Sequence, residues 1–264
     1  MFSNLAQLVR YRGLIQSLVA RELKARYRGS VLGFLWSFIN PLLLLSIYTF
    51  VFTKVIPNRN EIAQPYAVFM FCGILPWNWF ASSLTEASNS LVAGGNLIKK
   101  VLFPAEILPL VSVLANMVHF FLGLLILLSF LVYYQHWPNP EGLIWFPVAV
   151  LVQLILTSAL ALFLAALTVH YRDVKDLLSS ILMFWFFATP IIYPWQDENV
   201  KIYRWVFQMN PFTHLAVSYQ EILFFNGPVG HAPWLLALGV GSIGLFLASY
   251  WFFDRLRDSF AEVV

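Results

Sequence analysis

Six stretches of this chain carry no Asp, Glu, Lys or Arg: residues 29–53, 62–85, 107–140, 142–171, 177–196 and 222–253. A hydrocarbon core about 30 Å thick is crossed by a helix of roughly 17–25 apolar residues, so each stretch is long enough to span it. The runs are continuous, whereas barrel strands alternate over about ten residues, so the pattern predicts helices. The expected fold is an all-α integral membrane domain over residues 1–264, with six transmembrane helices at about 31–54, 66–92, 108–134, 143–169, 174–194 and 233–253.

Three segments between the runs have patterns of their own. Ser3 or Asn4 is placed to cap a helix over 4–28 in which Leu5, Leu8, Val9, Ile15, Val19, Leu23 and Tyr27 recur at helical spacing. Arg21, Lys24, Arg26 and Arg28 lie between them, the pattern of an amphipathic interface helix whose cations meet anionic head groups or a partner. A plain topology anchor is the simpler alternative. The stretch GGNLIKKVLFPAEILP, residues 94–109, predicts a short helix over 96–106. Asn96 would cap it, and Leu97, Lys99, Lys100, Phe103 and Glu106 would offer a mixed face to a groove on another protein, with a surface loop as the alternative. Residues 199–226 are apolar but broken by charge. Asn210 as cap and Pro211 at the first helical position start a helix of about 15 residues, roughly 22 Å, too short to cross. Two re-entrant half-helices before the last span, shielded by protein, are expected there.

Composition supports the membrane reading: 60% of the residues are hydrophobic and 11% charged, against roughly 45–50% and about 25% in soluble domains. Charge sets orientation. Twelve cations fall on the side of the termini and four, Lys54, Arg59, Lys201 and Arg204, on the other, which predicts both termini in the cytoplasm. A cleaved signal peptide is not expected, because the first run begins about thirty residues in. The lone Cys72 lies inside the second run, which excludes an intrachain disulfide and suits a small buried hydrophobe.

The chain has no G-x-x-x-x-G-K-[ST] loop, no H-E-x-x-H and no Cys/His cluster, so neither ATP hydrolysis nor metal binding is expected of it. Ionisable residues at membrane depth are few: Glu86, His119, His214 and Glu221. A proton-driven carrier would set several across adjacent spans, so packed, hydrogen-bonded roles are expected for these. Aromatic residues are abundant, 46 in all. Phe184, Trp185, Phe186 and Phe187 are consecutive and cannot share one helical face. Small-residue stripes, Ala237, Gly241, Gly244 and Ala248 on the last run and Ser158, Ala161 and Ala165 on the fourth, predict close helix packing inside one subunit.

The segments RYRGSVLGFLWSFINPLLLLSIYTFVF, FPAEILP, HYRDVKDL, TPIIYP and NPFTHLAVSYQEILF, in this order along nearly the whole chain, resemble the membrane subunit of type-2 ABC exporters. Within that class the chain is most similar to permeases for lipid-linked O-antigen, capsule and teichoic-acid chains. The resemblance implies a half-transporter: a second copy completes the channel, two ABC ATPase subunits bind below and hold ATP and Mg, and this chain binds no cofactor. It implies an inner-membrane location and a polysaccharide cargo on a polyprenyl diphosphate lipid, with no nucleic-acid partner. Residues 96–106 take the place of the ATPase-coupling helix and 199–226 that of the outer gate, including Asn210, Pro211, His214 and Glu221. Tyr48, Phe52, Trp185 and Tyr193 become candidates for the channel wall, and Arg21, Lys24, Arg26 and Arg28 for contact with the diphosphate and surrounding membrane lipids. A small-molecule exporter of the same class, an ATP-independent carrier, and a membrane glycosyl or acyl transferase using Glu221 and His214 are the rival readings.

Overall fold

The computed structural model describes residues 11–55, 63–95, 104–138, 140–197, 200, 202–225 and 229–263. The described residues form nine α-helices and no strands. Helix α1 covers Arg12–Arg26, α2 Trp36–Phe50, α3 Tyr66–Ala93, α4 Ile107–Tyr133 and α5 Pro140–His170. Then follow α6 Val174–Phe187, α7 Arg204–Met209, α8 Pro211–Leu223 and α9 Ala232–Val263. A 3₁₀ turn, Gly33–Leu35, leads into α2, and a π-helical turn, Val51–Val55, prolongs it. Between α1 and α2 the chain turns through Gly29 (φ +81°) and Gly33 (φ +50°), left-handed values that a Cβ would penalise. Residues 96–103, and with them most of the expected coupling helix, lie outside the described residues, as do Ser3 and Asn4.

Among the described residues, five helical segments are long and apolar enough to cross a membrane: Gly33–Val55, Tyr66–Ala93, Ile107–Tyr133, Gly142–His170 and Ala232–Arg257. The remaining charge-free run, 177–196, behaves differently. Its helix α6 has 14 residues, about 21 Å at 1.5 Å per residue, and stops short of the hydrocarbon thickness. Thr189 and Pro190 explain the stop, because proline cannot continue the helical hydrogen bonding and turns its predecessor away from helix. The irregular chain that follows is walled by protein. Gln220 Nε2 donates to the Pro190 carbonyl at 3.0 Å, the Tyr66 hydroxyl donates to the Ile192 carbonyl, and Ile191 is fully buried. Non-helical backbone at this depth is tolerated only with such partners.

The core is built around α3, which packs on α4, α5, α8, α6 and α2. A Cβ on Gly123 of α4 would stand 2.4 Å from Leu75 Cδ1, so α3 and α4 meet where one of them lacks a side chain. Two polar ties reinforce this contact zone: Trp79 Nε1 donates to the Val113 carbonyl of α4 at 3.1 Å, and Gln153 Nε2 of α5 to the Pro76 carbonyl at 2.8 Å. Cys72 is fully buried here. Helices α5 and α9 form the most extensive pair.

The small-residue stripes divide. Ser158, Ala161 and Ala165 of α5 are buried as expected. Ala237, Gly241, Gly244 and Ala248 instead lie exposed, while the inner side of α9 carries Leu235, Ser242, Ser249, Tyr250 and Phe253. The larger residues supply the packing area, and the expectation of intrasubunit packing for that stripe is corrected.

Candidate functional site

At the end of the bundle that carries α1, the amphipathic helix is moored rather than free. Leu18 is buried against Ile107 and Val111 at the start of α4, flanked by Tyr11, Leu14, Ile15 and Val19. The second mooring is polar. Arg26 Nη2 donates to Glu86 Oε2 of α3 at 2.6 Å, and Nη1 to Asn116 Oδ1 of α4 at 3.0 Å. Asn116 Nδ2 closes the triangle on Glu86 Oε2 at 2.7 Å and also reaches the Ser112 carbonyl at 2.9 Å. Each charge in this cluster is paired, the condition under which ionic groups are tolerated at such depth.

The four cations expected to meet the lipid diphosphate therefore separate. Arg21, Lys24 and Arg28 are exposed, whereas Arg26 is half-buried in the triangle. Two recesses flank the triangle. One, of about 600 Å³, runs between α2 and the α3/α4 pair, with Arg26, Asn116, Asn78 and Trp36 among its walls. The other, of about 680 Å³, opens between α1, the end of α3 and the start of α6, beside Arg21, Glu86 and Lys175.

Of the expected coupling residues, Asn96, Leu97, Lys99, Lys100 and Phe103 lie outside the described residues. Glu106 is described and buried, its Oε1 accepting from the Tyr250 hydroxyl of α9 at 3.2 Å. It ties the turn before α4 to the last span and faces inward.

The four candidate wall aromatics are half-buried. Tyr48 and Phe52 lie 6.4 Å apart, and Phe52 meets Tyr66 at 4.8 Å. Trp185 packs edge-on to Phe80 at 5.3 Å, and Tyr193 donates its hydroxyl to the Phe187 carbonyl at 2.8 Å. The exposed rings on these elements are Phe50 of α2 and Phe184 and Phe187 of α6, at 61%, 76% and 56% exposure. The run of four aromatics signalled a divided helix, but its phase depends on tertiary packing.

At the opposite end, Asn210 is a four-bond junction. Its Oδ1 accepts from Phe212 N at 3.0 Å, capping α8, and from Trp185 Nε1 at 2.7 Å. Its Nδ2 donates to Ala188 O and Thr189 Oγ1, both at 2.9 Å. Pro211 occupies the first helical turn as expected. Helix α8 is buried from Phe212 to Leu223, whereas α7 exposes Trp205, Val206 and Met209. Glu221 spends both oxygens on His231: Oε2 accepts the backbone N–H and Oε1 meets ring Nδ1, each at 2.9 Å. It thus caps the start of α9, where a carboxylate also suits the helix dipole. His214 stacks on Trp234 at 5.0 Å with 3° between planes, and its Nε2 faces the Gln208 carbonyl at 3.0 Å. Burial holds its pKa below the usual imidazole range, with the nearby His231 adding to the effect and the Gln208 carbonyl opposing it. These groups are structural, leaving a transferase without a free carboxylate at Glu221. Among the described residues no cluster of His, Cys, Asp and Glu could hold a metal.

Residues 13–224 match the family described as ABC-2 type transporter. The chain is 42% identical over 261 residues, 98% of each protein, to the "O-antigen export system permease protein RfbA" of Myxococcus xanthus. It is 32% identical over 251 residues, 95% of each, to the protein of that name from Klebsiella pneumoniae. A more distant relative is the "Polysialic acid transport protein KpsM" of Escherichia coli, 21% identical over 220 residues, 78% of this chain and 80% of that one. This multi-pass helical bundle, matched along most of its length, belongs to the ABC-2 transporter membrane family.

Proposed function

We propose that this chain is the channel-forming permease half of an ATP-driven exporter that moves polysaccharide linked to a polyprenyl diphosphate, of O-antigen type, across the bacterial inner membrane. The observation that carries the reading is the 42% identity, over 98% of both chains, to an O-antigen export permease. In this reading two copies form the conduit, and two separate ABC ATPase subunits hold ATP and Mg and drive it through residues 96–106. Both termini lie in the cytoplasm, with α6 and the irregular chain after it counted as one crossing. The exposed Arg21, Lys24 and Arg28 draw the diphosphate to the inner leaflet by charge and, for Arg, by bidentate geometry. Arg26, already paired, holds α1 in place.

Deleting the gene tests the whole reading. Surface polysaccharide should disappear while lipid-linked glycan accumulates inside, and a plasmid copy should restore export only with an ATPase partner competent for hydrolysis. Restoration by this chain alone would overturn the proposal. The head-group role has its own test. Changing Arg21, Lys24 and Arg28 together to Gln should slow export severalfold with the ATPase still co-purifying, and undiminished export would remove that role.

A further inference from the structure

Helix α3 is the most enclosed of the five candidate spans, with 83% of its most apolar 18-residue stretch buried. Its few exposed positions are Asn78, Ser82, Thr85 and Asn89, with Ala93 at the tip. Spacings of four, three and four put these four polar residues within a sector of about 60° and along about 16 Å of the helix. Facing acyl chains, a span exposes apolar residues; here the exposed face carries two amides and two hydroxyls. We infer that Asn78, Ser82, Thr85 and Asn89 form a hydrophilic track that holds the hydroxyl-bearing sugar units of the cargo between mid-membrane and the α1 end.

The track lies on the floor of recesses rather than on a convex surface. Asn78 and Ser82 line the 600 Å³ recess, opposite Trp36 and Asn40 at the base of α2. Thr85 and Asn89 line the 680 Å³ recess, opposite Arg21 of α1 and Lys175 of α6. Both volumes lie within the range of small-molecule sites. The triangle of Arg26, Glu86 and Asn116 stands between the two, since Arg26 and Asn116 border the first recess and Glu86 the second. Among the described residues, the side chains of Asn78, Ser82 and Asn89 make no hydrogen bond, while Thr85 bonds the Ala81 carbonyl of its own helix at 2.9 Å. His119 Nε2, beside the first recess, is buried without a partner.

Unused amides and hydroxyls facing an indole are suited to sugars, whose rings offer hydroxyl edges to the former and C–H faces to the latter. A second copy's helix would also hydrogen-bond a polar stripe, but the walls opposite this one are already supplied by the same chain. The track differs from the aromatic wall expected of α2 and α6, and it rests on the reading that the cargo is a glycan.

Variants with one added cysteine, Asn78→Cys, Ser82→Cys and Asn89→Cys, in membrane vesicles holding the complete transporter, test it with a charged, membrane-impermeant thiosulfonate. The buried Cys72 makes the unmodified protein a blank, and Leu125→Cys, at an exposed apolar position, serves as the lipid-facing control. The three variants should label at least ten times faster than the control, and slower in vesicles from glycan-producing cells than in vesicles from cells blocked in glycan synthesis. Equal labelling with and without glycan overturns the inference, as do labelling no faster than the control and disulfide formation between Ser82→Cys copies. In cells, changing Asn78, Ser82 and Asn89 together to Leu should cut export at least tenfold with dimer and ATPase association intact. Unimpaired export by this variant beside an exporting wild type overturns the track alone, whereas a wild type that exports no glycan overturns the functional reading and the track with it.

Discussion

The span built on α2, Gly33–Val55, and helix α3 are both long and apolar enough to cross a membrane, yet they meet their surroundings in opposite ways. The first span has the higher mean hydropathy, 1.7 against 1.3, but only 11% of its most apolar stretch is buried, compared with 83% for the second. Hydropathy therefore identifies a span without saying what it faces, because lipid and protein interior are equally dry. Burial follows the features that let helices approach: Gly123 against Leu75, the Trp79 and Gln153 bonds to neighbouring carbonyls, and the short α8 laid against α3. Helix α2 has few such features and presents Leu42, Leu43, Ile47 and Phe50 outward.

The contrast can be broken at its strongest point first. Trp79→Ala removes a ring 5.1 Å from Phe120 and a bond across to α4, and should cost about 3–5 kcal/mol. Ile47→Ala on α2, 56% exposed, should stay within about 0.5 kcal/mol. Thermal unfolding of the purified transporter in detergent compares them, and equal losses would show that α2 is as enclosed as α3. Next comes Asn210→Ala, which uncaps α8 and strands the Trp185 indole. A loss of about 2–3 kcal/mol is expected, and Asn210→Asp should retain the cap.

A smaller effect belongs to the mooring of α1. Because the side chains of Arg26 and Glu86 are 25% and 34% exposed, Arg26→Gln should cost only about 1 kcal/mol. Adding Glu86→Gln should recover part of that by removing the stranded carboxylate, and a double variant less stable than either single one would contradict the pairing. The smallest effect is a pH dependence. His214 is held neutral by burial, so its folded pKa lies below its unfolded value of about 6.5. The stability linked to it is complete above that value and is lost as pH falls toward the folded value. Between pH 7.5 and 5 the melting temperature should fall less in His214→Phe than in the parent protein.

Much of the architecture was legible because it rests on local rules. The charge-free runs mark the spans, and Asn210 with Pro211 marks the start of α8. What was not legible depends on distant partners. Arg26 reads as a free cation in sequence, since Glu86 and Asn116 lie 60 and 90 positions away. The bond from the Trp185 indole to Asn210, 25 positions on, is equally hidden in the sequence. The polar face of α3 was written in its spacing, but a search for apolar runs passes over a polar stripe inside one. Among the described residues five helical segments rather than six reach spanning length, because Pro190, just after Thr189, ends α6 early, a local signal masked by the hydrophobicity around it.

The corner at Gly29 and Gly33 joins two helices that take their positions from different neighbours. Helix α1 is fastened to the frame by Leu18 and Arg26, while α2 leans on α3 and α4 along a sparse seam. Such a joint is like a post bolted separately from its door. A residue with a side chain at either glycine would strain the corner itself while leaving the post where it stands.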